Sequence, residues 1–329
     1  MKRFTRLTLV ALCMGSAAQP WANPIDVPPL ASIEARIKTE SFRLDDPEMG
    51  LGELYHQLSA EDIAGEKLQN DGYDRWDLQA KETMYSLLSG AVEQFNDRLA
   101  RLISDVDVRQ TIYAIPVARV LQVATEAGVP GIDPELFKTV DRGLNDALKK
   151  SRIDRAEYPL YTASYNFWVQ RPEALRSLGQ TDDVSDPDQL FIAGYANLLL
   201  AKLTKDVASV RTAVDQLSRS QAIYSEQPHL AGTSLLGRVS LQLADAQRLM
   251  AQFEKRSEER RQYVNEAVRA ARVARQNIDF LDYPLLWGAA YRVTSETMDL
   301  LYQQTPDPSE RQRIGLLRDR AYEISVSYR

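Results

Sequence analysis

The chain has 329 residues, 44% of them hydrophobic and 26% charged, and its formal net charge is −6. These proportions are typical of a chain that folds around a buried core, which excludes intrinsic disorder as the default state. A negative net charge argues against nucleic-acid binding, which needs a basic surface. Only two histidines, His56 and His229, are present, so a metal site made of three imidazoles is excluded.

The first 22 residues have the pattern of a secretory signal peptide. A positive segment, an apolar segment and a small-residue run follow one another: Lys2, Arg3 and Arg6, then Leu7 to Met14, then Ser16 to Ala18. The apolar run is too short for a transmembrane helix, which needs about 20 residues, and we predict no transmembrane segment elsewhere. We expect cleavage after Ala18 or Ala22 and a periplasmic or secreted mature protein.

The mature chain is predicted to contain no cysteine, because Cys13 is the only one and leaves with the signal. Its stability must then come from packing and not from disulfides. The three positive charges of the signal leave with it, so the net charge of −6 becomes −9 for the mature chain. We therefore expect no partner among nucleic acids.

Motifs of catalysis and cofactor binding are absent from the sequence. Gly50-Leu51-Gly52 lacks the third glycine of a dinucleotide-binding loop. A cluster of acids lacks the glycine and the closing Glu of an EF-hand loop: Asp182, Asp183, Asp186 and Asp188. We predict a protein without catalytic residues, cofactor or metal.

Helix starts are marked by Asp-Pro followed by an acid or Ser, because Asp caps free amides and Pro fits the first helical position. The pattern occurs four times, at Asp46-Pro47, Asp133-Pro134, Asp186-Pro187 and Asp307-Pro308, and the last three precede apolar residues at helical spacing. Two further helices are predicted, one over about 74 to 103 and one from Pro116 to a stop at Gly128. Strand patterns are nearly absent, so the predicted class is all-α.

Apolar residues in the second half recur at steps of three and four, which is typical of long amphipathic helices packed at shallow angles. The seam runs through Val207 to Tyr224, then Leu236 to Phe253, and continues from Val264 to Ile278. Residues 229–281 fit either one long helix or two helices that join near Arg256 to Arg260. The polar, turn-rich stretch Gly179 to Pro187 is predicted to divide an N-terminal helical region, 23–180, from a C-terminal one, 186–329.

Two segments resemble each other: Glu157-Tyr158-Pro159-Leu160 and Asp282-Tyr283-Pro284-Leu285. In each, a corner with Pro lies between a helix rich in small residues and an aromatic helix. This arrangement resembles a tetratricopeptide-type α-solenoid, in which helical hairpins stack side by side. The resemblance implies an architecture of helical hairpins, as a solenoid or a bundle, and no particular binding residues.

Two groups of side chains are candidates for a binding surface. Aromatic residues recur on one helix face at Tyr161, Tyr165 and Trp168, and again at Trp287 and Tyr291. Arginines lie on adjacent turns at Arg269, Arg272 and Arg275, where they can bind a carboxylate or phosphate. The alternatives are aromatic rings that fill the core and arginines on a solvated helix face.

Three functions compete on these observations. The first is a non-enzymatic scaffold or accessory protein that binds another envelope or secreted protein. The second is a carrier of a small molecule or lipid between the aromatic helices. The third is a polysaccharide lyase-like enzyme, which would bring Tyr165 and Asn166 together with His56 or His229. We favour the scaffold, because no catalytic motif is present.

Overall fold

The computed structural model describes residues 96–97, 100, 111–151, 159–181, 185–227, 232–278 and 283–326. This part of the chain is 85% helical, without strands, and forms ten helices that pack against their neighbours. The predicted all-α class is therefore confirmed. The ten helices are α1 Thr111–Glu126, α2 Pro134–Ser151, α3 Pro159–Trp168, α4 Pro172–Leu178, α5 Pro187–Thr204, α6 Val207–Glu226, α7 Ser234–Phe253, α8 Ser257–Asn277, α9 Pro284–Gln304 and α10 Pro308–Val326.

The Asp-Pro helix starts are confirmed at α2, α5 and α10. Asp186 accepts hydrogen bonds from the amides of Asp188 and Gln189, at 2.9 and 3.3 Å. Asp307 accepts similarly from Ser309 and Glu310 at the start of α10. Each carboxylate satisfies amides that have no partner inside the helix. The Asp46-Pro47 pair lies outside the described residues. The helix predicted over about 74 to 103 also lies outside them, except for residues 96–97 and 100.

Two further expectations concern helix ends. Gly128 follows α1 with a positive φ of 68°, so the predicted stop is confirmed. The predicted start was wrong, because α1 begins at Thr111 and includes Pro116. Residues 232–278 contain two helices, since α7 ends at Phe253 and α8 starts at Ser257. The carboxylate of Glu254 accepts the Arg256 amide in the intervening turn.

From α3 onward the helices form two layers. We call α3, α5, α7 and α9 layer A, and α4, α6, α8 and α10 layer B. Each helix packs against the next in the chain, and the helices of layer A also pack against one another. This arrangement is compatible with a helical solenoid or bundle. Helices of layer A from α5 onward start at residues 187, 234 and 284, a spacing of roughly 50 residues against the 34 of a tetratricopeptide repeat.

The buried apolar side chains form two clusters. The larger unites helices α3 to α10 and includes the predicted seam residues Val210, Leu217, Val239, Leu243 and Val264. The smaller lies among α1, α2 and α3 and is built around Leu121, Phe137 and Tyr161. Helices α3 and α4 pack on α5 across the predicted boundary near 180–186. The division into regions 23–180 and 186–329 stays a prediction.

Candidate binding surface on layer A

One side of α7 carries polar residues, although this helix packs against four other helices. Arg238, Gln242 and Asp245 are spaced four and three residues apart, which places them on one side of the helix. Ser240 and Gln247 lie on the opposite side, since each residue turns the helix by about 100°. These two bond to Gln221 of α6 and Glu266 of α8. The stripe of Arg238, Gln242 and Asp245 therefore points away from layer B. We call the side of layer A on which this stripe lies the A face.

The carboxyl end of α1 lies against the A face. Gly128 and Val129 donate their amides to the carbonyls of Thr125 and Ala124, at 2.9 and 3.0 Å. This pair of bonds is a Schellman motif, which ends a helix at a glycine with positive φ. It leaves the last two carbonyls of the turn, those of Glu126 and Ala127, without a backbone partner from the motif.

Side chains from layer A satisfy both remaining carbonyls. Gln242 of α7 donates its Nε2 to the Glu126 carbonyl at 3.1 Å. Arg292 of α9 donates Nη2 to the Ala127 carbonyl at 2.8 Å. A guanidinium at this position also complements the negative end of the helix dipole. The A face thus supplies the caps that the end of α1 lacks.

The Glu126 side chain forms an ion pair with Arg238 of α7. The guanidinium donates Nε to Oε2 at 3.0 Å and Nη2 to Oε1, and the Glu126 side chain is fully buried. The guanidinium carbon lies 5.9 Å from the ring centre of Phe191 and 5.8 Å from that of Tyr283. Burial alone lowers the pKa of Arg238, but the Glu126 carboxylate outweighs it and holds this pKa above its ordinary value.

Charged side chains continue across the A face beyond the end of α1. Lys202 of α5 lies 2.6 Å from the Asp245 carboxylate of α7, and Arg248 lies 2.6 Å from the same carboxylate. Glu296 of α9 joins Arg248 at 3.2 Å to Arg292 at 3.0 Å. We call these five residues the charge ladder: Lys202, Asp245, Arg248, Glu296 and Arg292. The ladder links three helices of layer A and reaches α1 through Arg292.

Asp245 is the buried centre of the ladder. Burial raises the pKa of its carboxyl, but the charges of Lys202, Arg248 and Arg292 together outweigh burial and hold this pKa well below its usual range. Lys202, Arg292 and Glu296 at the margins keep side-chain exposures of 25%, 34% and 38%. The margins of the ladder are therefore open to a ligand, while its centre holds the helices together.

The aromatic candidates are distributed between the two buried clusters. Tyr161 and Tyr165 belong to the smaller cluster, and Trp168 packs on it with Nε1 donated to the Thr125 hydroxyl at 3.0 Å. Trp287 and Tyr291 belong to the larger cluster, with ring centres 4.5 Å apart. Four of the five rings are buried and Trp168 is half-buried. They contribute to packing, and a role in binding stays a prediction.

The arginine candidates of α8 point in different directions. Arg269 is exposed and Arg272 is half-buried. Arg275 is buried, donates Nη1 to the Thr294 hydroxyl at 3.1 Å, and lies 5.2 Å from the centre of the Tyr291 ring. Arg269 and Arg272 are therefore the two arginines of the row that an anion can reach, and their role in binding also stays a prediction.

The residues of the A face were not among the sequence-based candidates. Their signal is the polar stripe Arg238, Gln242 and Asp245 within a helix whose other sides are mostly apolar. Such a stripe indicates a helix side that faces water or a polar partner. The identity of that partner, Glu126, is not readable from local periodicity.

No protein-family model matches the chain, and comparisons with curated proteins and with solved structures find no significant match. Within the described residues, no helix is both long and apolar enough to cross a membrane. In the same part of the chain, no three His, Cys, Asp or Glu side chains are grouped so that they could hold a metal ion.

Proposed function

We propose that this protein is an exported, non-enzymatic helical scaffold that binds another envelope or secreted protein through the A face. The proposed export follows from the predicted signal peptide. The scaffold role draws on the packing of successive helices, which is compatible with a solenoid or bundle and lines up the helices of layer A side by side.

The observation that carries the proposal is the contact between the A face and the end of α1. Arg238, Gln242 and Arg292 bind one carboxylate and two main-chain carbonyls there. These are groups that every protein segment with an acidic residue offers. A surface that binds a segment of its own chain in this way has the chemistry to bind a segment of another protein.

The partly exposed Glu296 gives a sharp test, because α10 offers a matched control. Glu296 pairs with Arg292 on its own helix and its side chain is 38% exposed. Glu310 pairs with Arg313 on α10 and its side chain is 39% exposed. Glu296→Gln and Glu310→Gln therefore each remove one similarly exposed carboxylate, inside and outside the A face, and Glu296 differs in that it also contacts Arg248.

The experiment captures envelope proteins on the purified mature protein and on each variant. We expect one specific partner, whose recovery falls at least about fivefold with Glu296→Gln, the scale of a contact worth roughly 1 kcal/mol. Glu310→Gln should recover as much partner as the wild type. Equal recovery with both variants would contradict the proposal that the A face binds a protein. Capture of no protein with saturable binding would contradict it as well.

A further inference from the structure

The contact of α1 with helices α7 and α9 is small and mostly polar. Among the described side chains at the end of α1 and just after it, Val123 and Ala127 join the larger buried cluster and Val129 packs against it. The main apolar stripe of α1, including Leu121 and Ala124, belongs to the smaller cluster with α2 and α3. Interfaces that are small and polar are typical of units that move relative to each other. Separation of the end of α1 from α7 and α9 would not require this smaller cluster to break.

Departure of α1 would leave an uncompensated charge on layer A. Only 14% of the Arg238 side chain is exposed, and its guanidinium carbon lies 5.9 Å from the ring centre of Phe191 and 5.8 Å from that of Tyr283. Without Glu126 this largely buried guanidinium would lose its carboxylate partner. Leaving a buried cation unpaired is strongly unfavourable. A segment that replaces α1 must therefore bring a carboxylate to the same place.

The other donors define the rest of the replacing segment. Gln242 and Arg292 bind the two free carbonyls at the end of α1, which belong to Glu126 itself and to the next residue, Ala127. Consecutive free carbonyls occur at the carboxyl ends of helices. A Cβ at position 128 would lie 2.6 Å from Nη2 of Arg292, so the residue after the helix end must be small or the guanidinium must shift.

We infer that Arg238, Gln242 and Arg292 form a binding site for the carboxyl end of a helix with an acidic residue in its last turn. Helix α1 occupies this site in the isolated chain as an internal ligand. A partner helix end of the same chemistry exchanges with it. This inference rests on the proposed function, since it names the kind of protein segment that the A face takes.

The test uses α1 itself as the probe. A fluorescein-labelled peptide of residues 117–129, amidated at its carboxyl end, has Glu126 as its only acidic residue. Its binding to the full mature protein is measured by fluorescence anisotropy. Two protein variants weaken the internal ligand by different means. Glu126→Gln removes the charge, and Gly128→Ala strains the positive-φ turn beside Arg292.

Weakening the internal ligand must strengthen binding of the external one, because both compete for one site. We expect both variants to bind the peptide at least about fivefold more tightly than the wild type. The gain should disappear when the peptide itself carries Glu126→Gln. The control protein, Glu310→Gln, should bind the peptide as the wild type does.

Three results would overturn the inference. These are no gain in either variant, a gain that ignores the peptide carboxylate, and loss of the folded state in both variants, which would make α1 a fixed structural element. Thermal melting of each variant identifies the last case. If partner capture depends on Glu296 but the peptide test fails, only this inference falls. If the peptide binds but no envelope partner is captured, only the proposed function falls.

Discussion

Glu126 and Arg238 are 112 residues apart in the sequence and form a two-point ion pair where α1 meets α7. The pair differs from the other ion pairs of α1, α7 and α9 in that its carboxylate side chain has no exposure to solvent. Because the carboxylate cannot regain water in the folded protein, its energetic role depends on the guanidinium. This dependence leads to the first prediction.

Removing one partner of the pair should be more costly than removing both. Glu126→Gln is expected to lower the free energy of unfolding by about 3 kcal/mol, since Arg238 keeps its charge in a buried place. The double variant Glu126→Gln, Arg238→Met should lose less than the sum of the single losses. Urea unfolding measures each value. Strict additivity would show that the two side chains do not interact in solution.

The second prediction concerns acid stability through Asp245. The pKa of its carboxyl is lowered in the folded protein, so below about pH 4 the unfolded chain binds more protons than the folded one. The contribution of Asp245 is thus fully present above pH 4 and is lost as the pH falls further. Asp245→Asn should flatten the fall in unfolding free energy between about pH 4 and pH 2.

A matched control for this pH dependence is Asp215→Asn, which removes a carboxylate that is 68% exposed beside Arg219. This variant should keep the acid slope of the wild type and change stability at pH 7 by less than about 1 kcal/mol. The ladder would have no special part in acid sensitivity if both variants gave the same slope.

The third prediction concerns the close approach of α5 and α6. A Cβ at Gly194 would lie 2.6 Å from Cγ of Leu217 and 3.2 Å from its backbone nitrogen. Although Ala stabilises an exposed helix by about 1 kcal/mol over Gly, Gly194→Ala should destabilise the protein by roughly 1 to 3 kcal/mol through overpacking. Thermal melting checks the sign. Gly315→Ala, whose Cβ meets only the edge of the Tyr302 ring at 3.3 Å, should stay within about 1 kcal/mol of the wild type.

The fourth prediction separates the aromatic candidates. Trp287 is 7% exposed in the larger cluster, so Trp287→Ala should cost about 3 to 5 kcal/mol of stability. Trp168 is half-buried, and its truncation should cost less, although it also removes the bond to Thr125. Melting and partner capture are measured on both variants. A folded Trp168→Ala protein that loses its partner would make this ring part of the binding surface.

The fifth prediction concerns export. The mature protein recovered from the envelope fraction should begin at Gln19 or Asn23, because the small residues Ala18 and Ala22 fit signal peptidase. Sequencing of the amino terminus checks this directly. Retention of Met1 in protein from the cell interior would contradict both the predicted export and the proposed envelope partner.

The class and much of the helix pattern were predictable because their causes are local. Asp186 followed by Pro187 starts a helix by capping chemistry, and Gly128 ends one by its positive φ. The candidate site depends instead on distant pairs such as Glu126 with Arg238. Periodicity places each residue on a side of its own helix, but it does not say which other helix lies there. The aromatic candidates recur with the same helical periodicity as core residues, so periodicity alone does not separate a binding surface from a core.

The packing of the helices in layers implies an order of local unfolding. Helix α7 is enclosed by α5, α6, α8 and α9, and the end of α1 covers its remaining side, whereas α10 packs mainly on α9. In stacked helices the cost of local opening follows the number of neighbouring interfaces that are lost. We therefore expect the amides of α10 to exchange with solvent before those in the middle of α7.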